Sequence, residues 1–312
     1  MTELLFTSTK LGDIDLKNRV VMAPMTRSRA IDNVPNALMA TYYGQRSEAG
    51  LIITEGTAPS PSGLGYARIP GIYSDAQVAG WREVTAAVHA SGAKIFVQIM
   101  HTGRIGHPAN LPAGGRILGP SAIAAPGTMY TDSQGPQPFP VPEEMTEDDI
   151  ERAIAEFEHA AAQAIAAGFD GVELHGANGY LIEQFLNTAA NQRTDRWGGT
   201  IEGRARFALE VARRVAARIG AGRLGIRLSP FGVFNGTAPD PETSALYLHL
   251  ARELSALGLV YLHLVDHSAM GTPPVPDELK AGLRAAFRGA FILSGGYDAA
   301  RAEADLQAGR GD

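Results

Sequence analysis

The chain has 312 residues, a formal net charge of −6, 45% hydrophobic and 19% charged residues, and no cysteine. Those shares describe a globular protein with a sizeable core, and the acidic balance argues against nucleic acid or an anionic membrane as partner. Without cysteine there are no disulfides, thiolate metal sites, iron–sulfur clusters or cysteine nucleophiles.

Residues 1–6 carry no basic segment ahead of an apolar one, and no uninterrupted apolar run nears the roughly 18 residues of a membrane span. A soluble, cytoplasmic protein is therefore expected. Along the chain, strand-like apolar runs at 20–24 and 51–55 come first, followed by a helix over 75–91 with Val78, Trp81, Val84 and Val88 at spacings of three and four. A third run at 94–100 leads into a Pro- and Gly-rich segment, 101–145, long enough to read as a lid. Thr146 and the acidic residues after it open the next helix, which Gly168 closes. Runs at 171–175, 224–229, 260–265 and 290–295 then alternate with helices over 200–220, 245–257, 277–287 and 298–309.

Most of these runs are continuously apolar, as strands buried on both faces of a parallel sheet are. Polar residues gather at their C-terminal ends: Thr26, Glu55, Gln98, His101, His175, Arg227, Asp266 and Gly295–Gly296. That placement favours a (β/α)8 TIM barrel over an open sheet, because the C-terminal rim is where such barrels carry chemistry. One domain spanning 1–312 is expected, with the barrel's eighth strand absent from this chain.

The rim excludes several chemistries. Lys10, Lys17, Lys94 and Lys280 are the only lysines, and none ends a strand, so Schiff-base catalysis has no nucleophile. The first strand has no metal-ligating histidine, and His263 and His267 read as core or rim histidines rather than ligands. What remains is a set of hydrogen-bond donors suited to a cofactor that performs the difficult step. Gly295-Gly296 reads either as a tight turn or as a phosphate-binding loop ahead of a helix. His175 and Asn178 either satisfy backbone groups in a strand-to-helix turn or, if the turn is helical, face one substrate oxygen together, with the Tyr180 phenol nearby.

Seven segments in register resemble the old yellow enzyme family. They are Val21-Met-Ala-Pro-Met-Thr26-Arg27, Gly50-Leu-Ile-Ile-Thr-Glu-Gly56, Val97-Gln98-Ile-Met100-His101-Thr-Gly-Arg104, Glu173-Leu-His175-Gly-Ala-Asn178-Gly-Tyr180, Asn191-Gln-Arg-Thr-Asp-Arg-Trp-Gly-Gly199, Gly225-Ile-Arg227-Leu-Ser-Pro and Leu293-Ser-Gly-Gly-Tyr297. The resemblance implies an FMN-dependent ene-reductase that takes hydride from NADPH or NADH and reduces alkenes activated by a carbonyl or nitro group. It places Pro24, Met25, Thr26, Gly56, Gln98, Arg227, Gly295 and Gly296 on the flavin. It gives His175 and Asn178 the substrate oxygen and makes Tyr180 the proton donor, with Tyr66, Met100 and Thr26 lining the substrate side.

Two departures from the family pattern carry expectations. Met100 stands where relatives often have tryptophan, implying a roomier pocket, and Gly203 stands where asparagine is usual, which bears on helix stability. The family's last strand and its phosphate-binding Gly-Arg turn fall beyond this sequence, so a second chain, or residues outside the sequence, is expected to supply them. The alternative reading is a flavin-binding scaffold that needs such a chain to complete its barrel.

Overall fold

The computed structural model describes residues 4–312; the reading of residues 1–6 as lacking a leader falls partly on residues 1–3, outside the described set. Seven strands form one parallel sheet in sequence order: Val21–Met22, Leu51–Ile53, Lys94–Ile99, Gly171–Gly176, Leu224–Leu228, Tyr261–Val265 and Ala290–Ser294. Every predicted strand is present. Around them run α1 (Ala37–Gly44), α2 (Asp75–His89), α3 (Glu147–Ala166), α4 (Leu181–Leu186), α5 (Ile201–Ile219), α6 (Thr243–Ala256), α7 (Asp277–Ala286) and α8 (Ala299–Gln307). No helix is long and apolar enough to cross a membrane among the described residues.

A period of two divides each strand between two environments. Ile95, Val97, Ile99, Val172, Leu174, Leu224, Ile226, Leu228, Leu262, Leu264 and Phe291 belong to one core cluster with the helices. The alternate positions face the other way: Leu51, Ile53, Phe96 and Tyr261 form a second cluster, joined by Ile292 and Ala290. Strands two and six are four places apart in the sheet, so one cluster shared between them requires the sheet to curl around it. The bottom of this interior is closed by an antiparallel hairpin, Thr9–Leu11 with Ile14–Leu16, whose Leu11 and Leu16 enter the same cluster. Sequence reasoning did not find that hairpin.

Capping explains where the helices start. Thr146 and Asp149 form a reciprocal capping box at α3, and Gly168 follows its end at φ +90°. Helix α1 was not predicted; Asn36 caps it, but Leu38 is 60% exposed while Met39 and Tyr43 are buried, which obscures any apolar face. Gly203 lies in the first turn of α5, donating to Thr200 Oγ1 at 3.1 Å, and a Cβ there would come 2.1 Å from Gly198 O. Close packing, rather than helix propensity, accounts for a glycine at that position.

Segment 101–145 is not featureless. Thr128–Thr131 and Gly135–Pro138 form a hairpin, and Leu118–Gly119 pairs with Glu143–Glu144. At the other side of the barrel, the first and seventh strands do not pair with each other; each has one neighbour in the sheet. A cavity of about 500 Å³ lies between them, lined by Val20, Val21, Phe291, Leu293 and the α8 residues Ala302 and Leu306. Asp312 sits on the outer edge of the seventh strand, its N–H donating to Phe291 O at 3.1 Å.

Gly225 shows how the interior is filled. A Cβ on it would lie 2.2 Å from the Tyr261 ring, so the missing side chain is what seats that tyrosine. Gly225→Ala is expected to cost about 1–3 kcal/mol by overpacking, read by chemical denaturation. Gly222→Ala, with nothing within 4 Å of its Cβ, should change stability by less than about 0.5 kcal/mol.

Candidate active site

Strand alternation places Gln98, Glu173, His175, Arg227, His263 and Ser294 on inward positions, where the third to seventh strands approach the rim. Glu173 has no exposure and is the hub. It accepts from Gln98 Nε2 at 2.8 Å and Tyr261 OH at 3.0 Å, and His263 Nδ1 lies 2.8 Å away. Burial pushes His263 down against the pull of Glu173, so the ring is a neutral donor from Nδ1, with Nε2 3.0 Å from Ser294 Oγ. His263 is thus bound into the hub. His267, four residues on, packs edge-on against Phe234 with ring centroids 4.5 Å apart.

Arg227 stands beside this hub, paired in register with His175 on one side and His263 on the other. Burial lowers its pKa from the usual value, opposed by Glu173, yet a guanidinium remains charged. Its buried Nε has no hydrogen-bond partner among the described residues. His175 is in the same condition at Nδ1, and burial followed by the Arg227 charge holds its pKa well below the usual range, so it is neutral. Asn178 Oδ1 is a third buried polar atom without a partner. Buried polar groups are nearly always paired. Three on one rim form a donor and acceptor set suited to a bound molecule, and the cationic member suits one with an electron-rich edge.

The first strand leads out through Pro24, Met25 and Thr26, with Met25 45% exposed beside the barrel mouth. This exit is fixed from beneath: Arg27 N–H donates to Glu55 Oε2 at 2.9 Å, and Tyr43 OH of α1 lies 3.2 Å from Oε1. Gly56 follows, where a Cβ would fall 2.5 Å from Met100 Sδ. Met100 itself is buried in an apolar cluster with Ala58, Leu64, Ile69 and Tyr180, and Tyr66 packs against that cluster.

After the fourth strand the chain does not turn helically. Gly176 extends the strand, and Asn178 (φ 60°) and Gly179 (φ 77°) adopt left-handed conformations before α4 begins. Of the two courses the sequence left open, the chain takes the non-helical strand-to-helix turn, whose left-handed conformation costs about 1 kcal/mol at a residue other than glycine. Asn178 is held there by its N–H to Ser229 Oγ at 2.9 Å and by Asn235 Nδ2, which donates to its carbonyl at 2.7 Å. Tyr180 comes back against His175, ring centroids 4.8 Å apart, and its hydroxyl is 3.0 Å from that of Tyr66. Burial, then the Tyr66 hydroxyl, raises the Tyr180 pKa well above its usual value, while Asn235 and Arg227 act in the opposite sense. The phenol therefore keeps its proton at neutral pH.

Gly295 and Gly296 turn the chain away from the seventh strand at φ 117° and 64°, and a Cβ on Gly295 would overlap Asp266 O at 1.8 Å. Asp298 caps α8 immediately afterwards by accepting from Arg301 N–H at 2.8 Å. The tight-turn reading thus describes the backbone, while the turn also stands at the head of a helix.

Three residues in the site had no assigned role from sequence: Glu173, Glu183 and Asn235. Glu173 had a usable signal, since it precedes His175 by two and must share its face. Asn235 had none; it reaches the turn because Arg104 donates to Asn235 O and Gly236 O, both at 3.1 Å, fastening that loop.

Residues 4–312 match the NADH:flavin oxidoreductase / NADH oxidase family. Chanoclavine-I aldehyde reductase of Penicillium roqueforti is 46% identical over 306 residues, covering 96% of this chain and 80% of that protein. Morphinone reductase in complex with tetrahydroNAD superposes with a TM-score of 0.93 at 44% identity, covering 99% of this chain and 85% of the other. The old yellow enzyme homologue from Zymomonas mobilis superposes at 0.94 with 40% identity, covering 99% and 86%. The chain belongs to the NADH:flavin oxidoreductase / NADH oxidase family and is an FMN-dependent oxidoreductase of the old yellow enzyme type.

Proposed function

We propose that the protein is an ene-reductase for alkenes activated by a carbonyl or nitro group, using NADPH or NADH as reductant. The observation that carries this reading is the pair of buried, unpartnered nitrogens on His175 and Arg227 next to a phenol that retains its proton. The solved complex of morphinone reductase with tetrahydroNAD supports a nicotinamide donor.

The residues present fit FMN. Arg227 and Gln98 would hold the polar edge of the flavin, Gly56 and the Pro24–Met25–Thr26 exit its ring, and Gly295 with Gly296 its phosphate. FMN bound there supplies two-electron transfer between NAD(P)H and the alkene. Arg227 would offer a fixed positive charge to the electron-rich edge it holds. His175, held neutral, and Asn178 donate to the substrate oxygen and draw electron density from the double bond. Tyr180 delivers the proton to the α-carbon, and its contact with Tyr66 steers the hydroxyl. Met100 and Tyr66 shape the substrate side, with segment 101–145 as its lid. The whole of 1–312 acts as one FMN-binding domain in the cytoplasm, with neither nucleic acid nor membrane as partner.

The unpaired edges of the first and seventh strands support a second element of the reading. An eighth strand inserted between them, from a second chain or from residues outside this sequence, completes the barrel and brings the Gly-Arg turn to the phosphate. The same edges favour the alternative, a flavin-binding scaffold that gains activity only when that strand is added. Sedimentation of purified, active protein decides: turnover confined to a species carrying an added chain or segment is expected, and full activity of this chain as a lone monomer would overturn it.

Two variants test the assignments. Tyr180→Phe should slow reduction of 2-cyclohexenone by about 10²-fold or more, the usual range for a lost general acid, while flavin bleaching by NADPH in stopped flow stays near wild type. Equal loss in both half-reactions would refute the proton-donor role. Glu173→Ala leaves buried donors unpaired and should destabilise the fold by about 3 kcal/mol or more and weaken FMN retention, measured by denaturation and by flavin released on dialysis.

A further inference from the structure

Glu183 lies on α4 and is 2% exposed, yet the chemistry proposed above gives it no part. Its carboxylate accepts from Gly179 N–H at 2.6 Å, Ser229 Oγ at 2.8 Å and Tyr247 OH at 2.9 Å. Ser229 Oγ in turn accepts from Asn178 N–H at 2.9 Å. The amides of both left-handed residues therefore end on Glu183, one directly and one through a single hydroxyl. We propose that Glu183 is a positioning residue that fixes the Asn178–Gly179 turn, aims Asn178 at the substrate oxygen, and couples substrate binding to its own ionisation.

The surroundings make that coupling specific. Among the described residues no cation pairs with Glu183, whose bonds are to Gly179, Ser229 and Tyr247. Arg204 of α5 lines the same small cavity but is committed to Asp240 at 3.0 Å, Glu242 at 2.6 Å and Leu186 O at 3.1 Å. The other ionisable groups around that cavity are Asp240, already bound to Arg204, and Tyr247 of α6, whose phenol burial keeps protonated. Held by hydrogen bonds alone, the Glu183 carboxyl is pushed by burial up to about 7.

Ionised, Glu183 accepts all three bonds. Protonated, it must donate one, and Gly179 N–H cannot reverse. A hydroxyl has to turn instead, and when Ser229 turns its own proton no longer points to Glu183. The two ionisation states thus hold Asn178 differently, the charged one more firmly. Burial pushes the nearby His175, His263 and His267 below their usual value, so these rings stay neutral and do not share the transition.

The inference rests on the reading that Asn178 grips a substrate oxygen, so the test separates the two. Cyclohexanone, a neutral ketone that cannot be reduced at a double bond, serves as probe by calorimetry on the flavin-loaded protein, alongside KM and kcat for 2-cyclohexenone between pH 6 and 8.5. Wild-type affinity for cyclohexanone should fall about fivefold as pH drops through 7. Glu183→Gln, which keeps an acceptor for Gly179 but is always neutral, should bind at the weak, low-pH level throughout, with KM raised more than kcat is lowered. Ser229→Ala should likewise flatten the profile, and it decides the matter should the Gln variant not fold. A wild-type profile without the inflection, or one that survives in the variants, would overturn the proposal. Ketone binding with the inflection but without turnover of 2-cyclohexenone would instead overturn the ene-reductase reading and leave Glu183 as assigned.

Discussion

Removing a carboxyl group from water is tolerated only when its oxygens are supplied with donors. Glu173 meets that demand with three neighbours from two strands, Gln98 on the third and Tyr261 and His263 on the sixth, and the barrel mouth is arranged by it. Gln98 is turned by its bond to Glu173, His263 is fixed in one tautomer, and Tyr261 is drawn into space that Gly225 leaves. With those acceptor positions filled, Arg227 stays near the carboxylate without a hydrogen bond to it. The guanidinium is then oriented by packing and charge, and its donors remain for a ligand.

Much of this was readable in advance, for a physical reason. Strands buried on two faces must be apolar nearly throughout, so Val97, Val172 or Ile226 mark them directly. An inward polar residue interrupts such a run, and Gln98, His175 and Arg227 stand out for that reason. Other features depend on tertiary packing and left no local trace. The floor hairpin has only three residues per strand, and α1 exposes Leu38 while burying Met39. The sequence left the turn after His175 open between a helical and a non-helical course, although Gly176 and Gly179 on either side of Ala177-Asn178 are the residues that break a helix. Asn235 could not be placed from sequence, because its position follows from bonds to a residue 131 positions earlier.

The site is thus assembled in two tiers with different stiffness. Groups on strands, namely Gln98, Glu173, His175 and Arg227, inherit their positions from the sheet register. Asn178, Gly179, Tyr180 and Asn235 lie on turns and are held by side chains, those of Ser229, Glu183, Tyr66 and Arg104 in that order. The first tier suits a cofactor that stays in place. The second suits substrates that come and go, since a few hydrogen bonds set its geometry.

The hairpin beneath the barrel bears on the order in which the molecule is made. Val260 and Tyr261, which share a cluster with Leu11 and Leu16, leave the ribosome some 250 residues after them. Contacts of such long sequence separation form late and slowly. During synthesis the hairpin's apolar face meets Leu51, Ile53 and Phe96 first and lacks its remaining partners until the sixth strand appears. A growing chain of this kind is open at its base for most of its translation, and chaperones that shield apolar surface have their longest opportunity there.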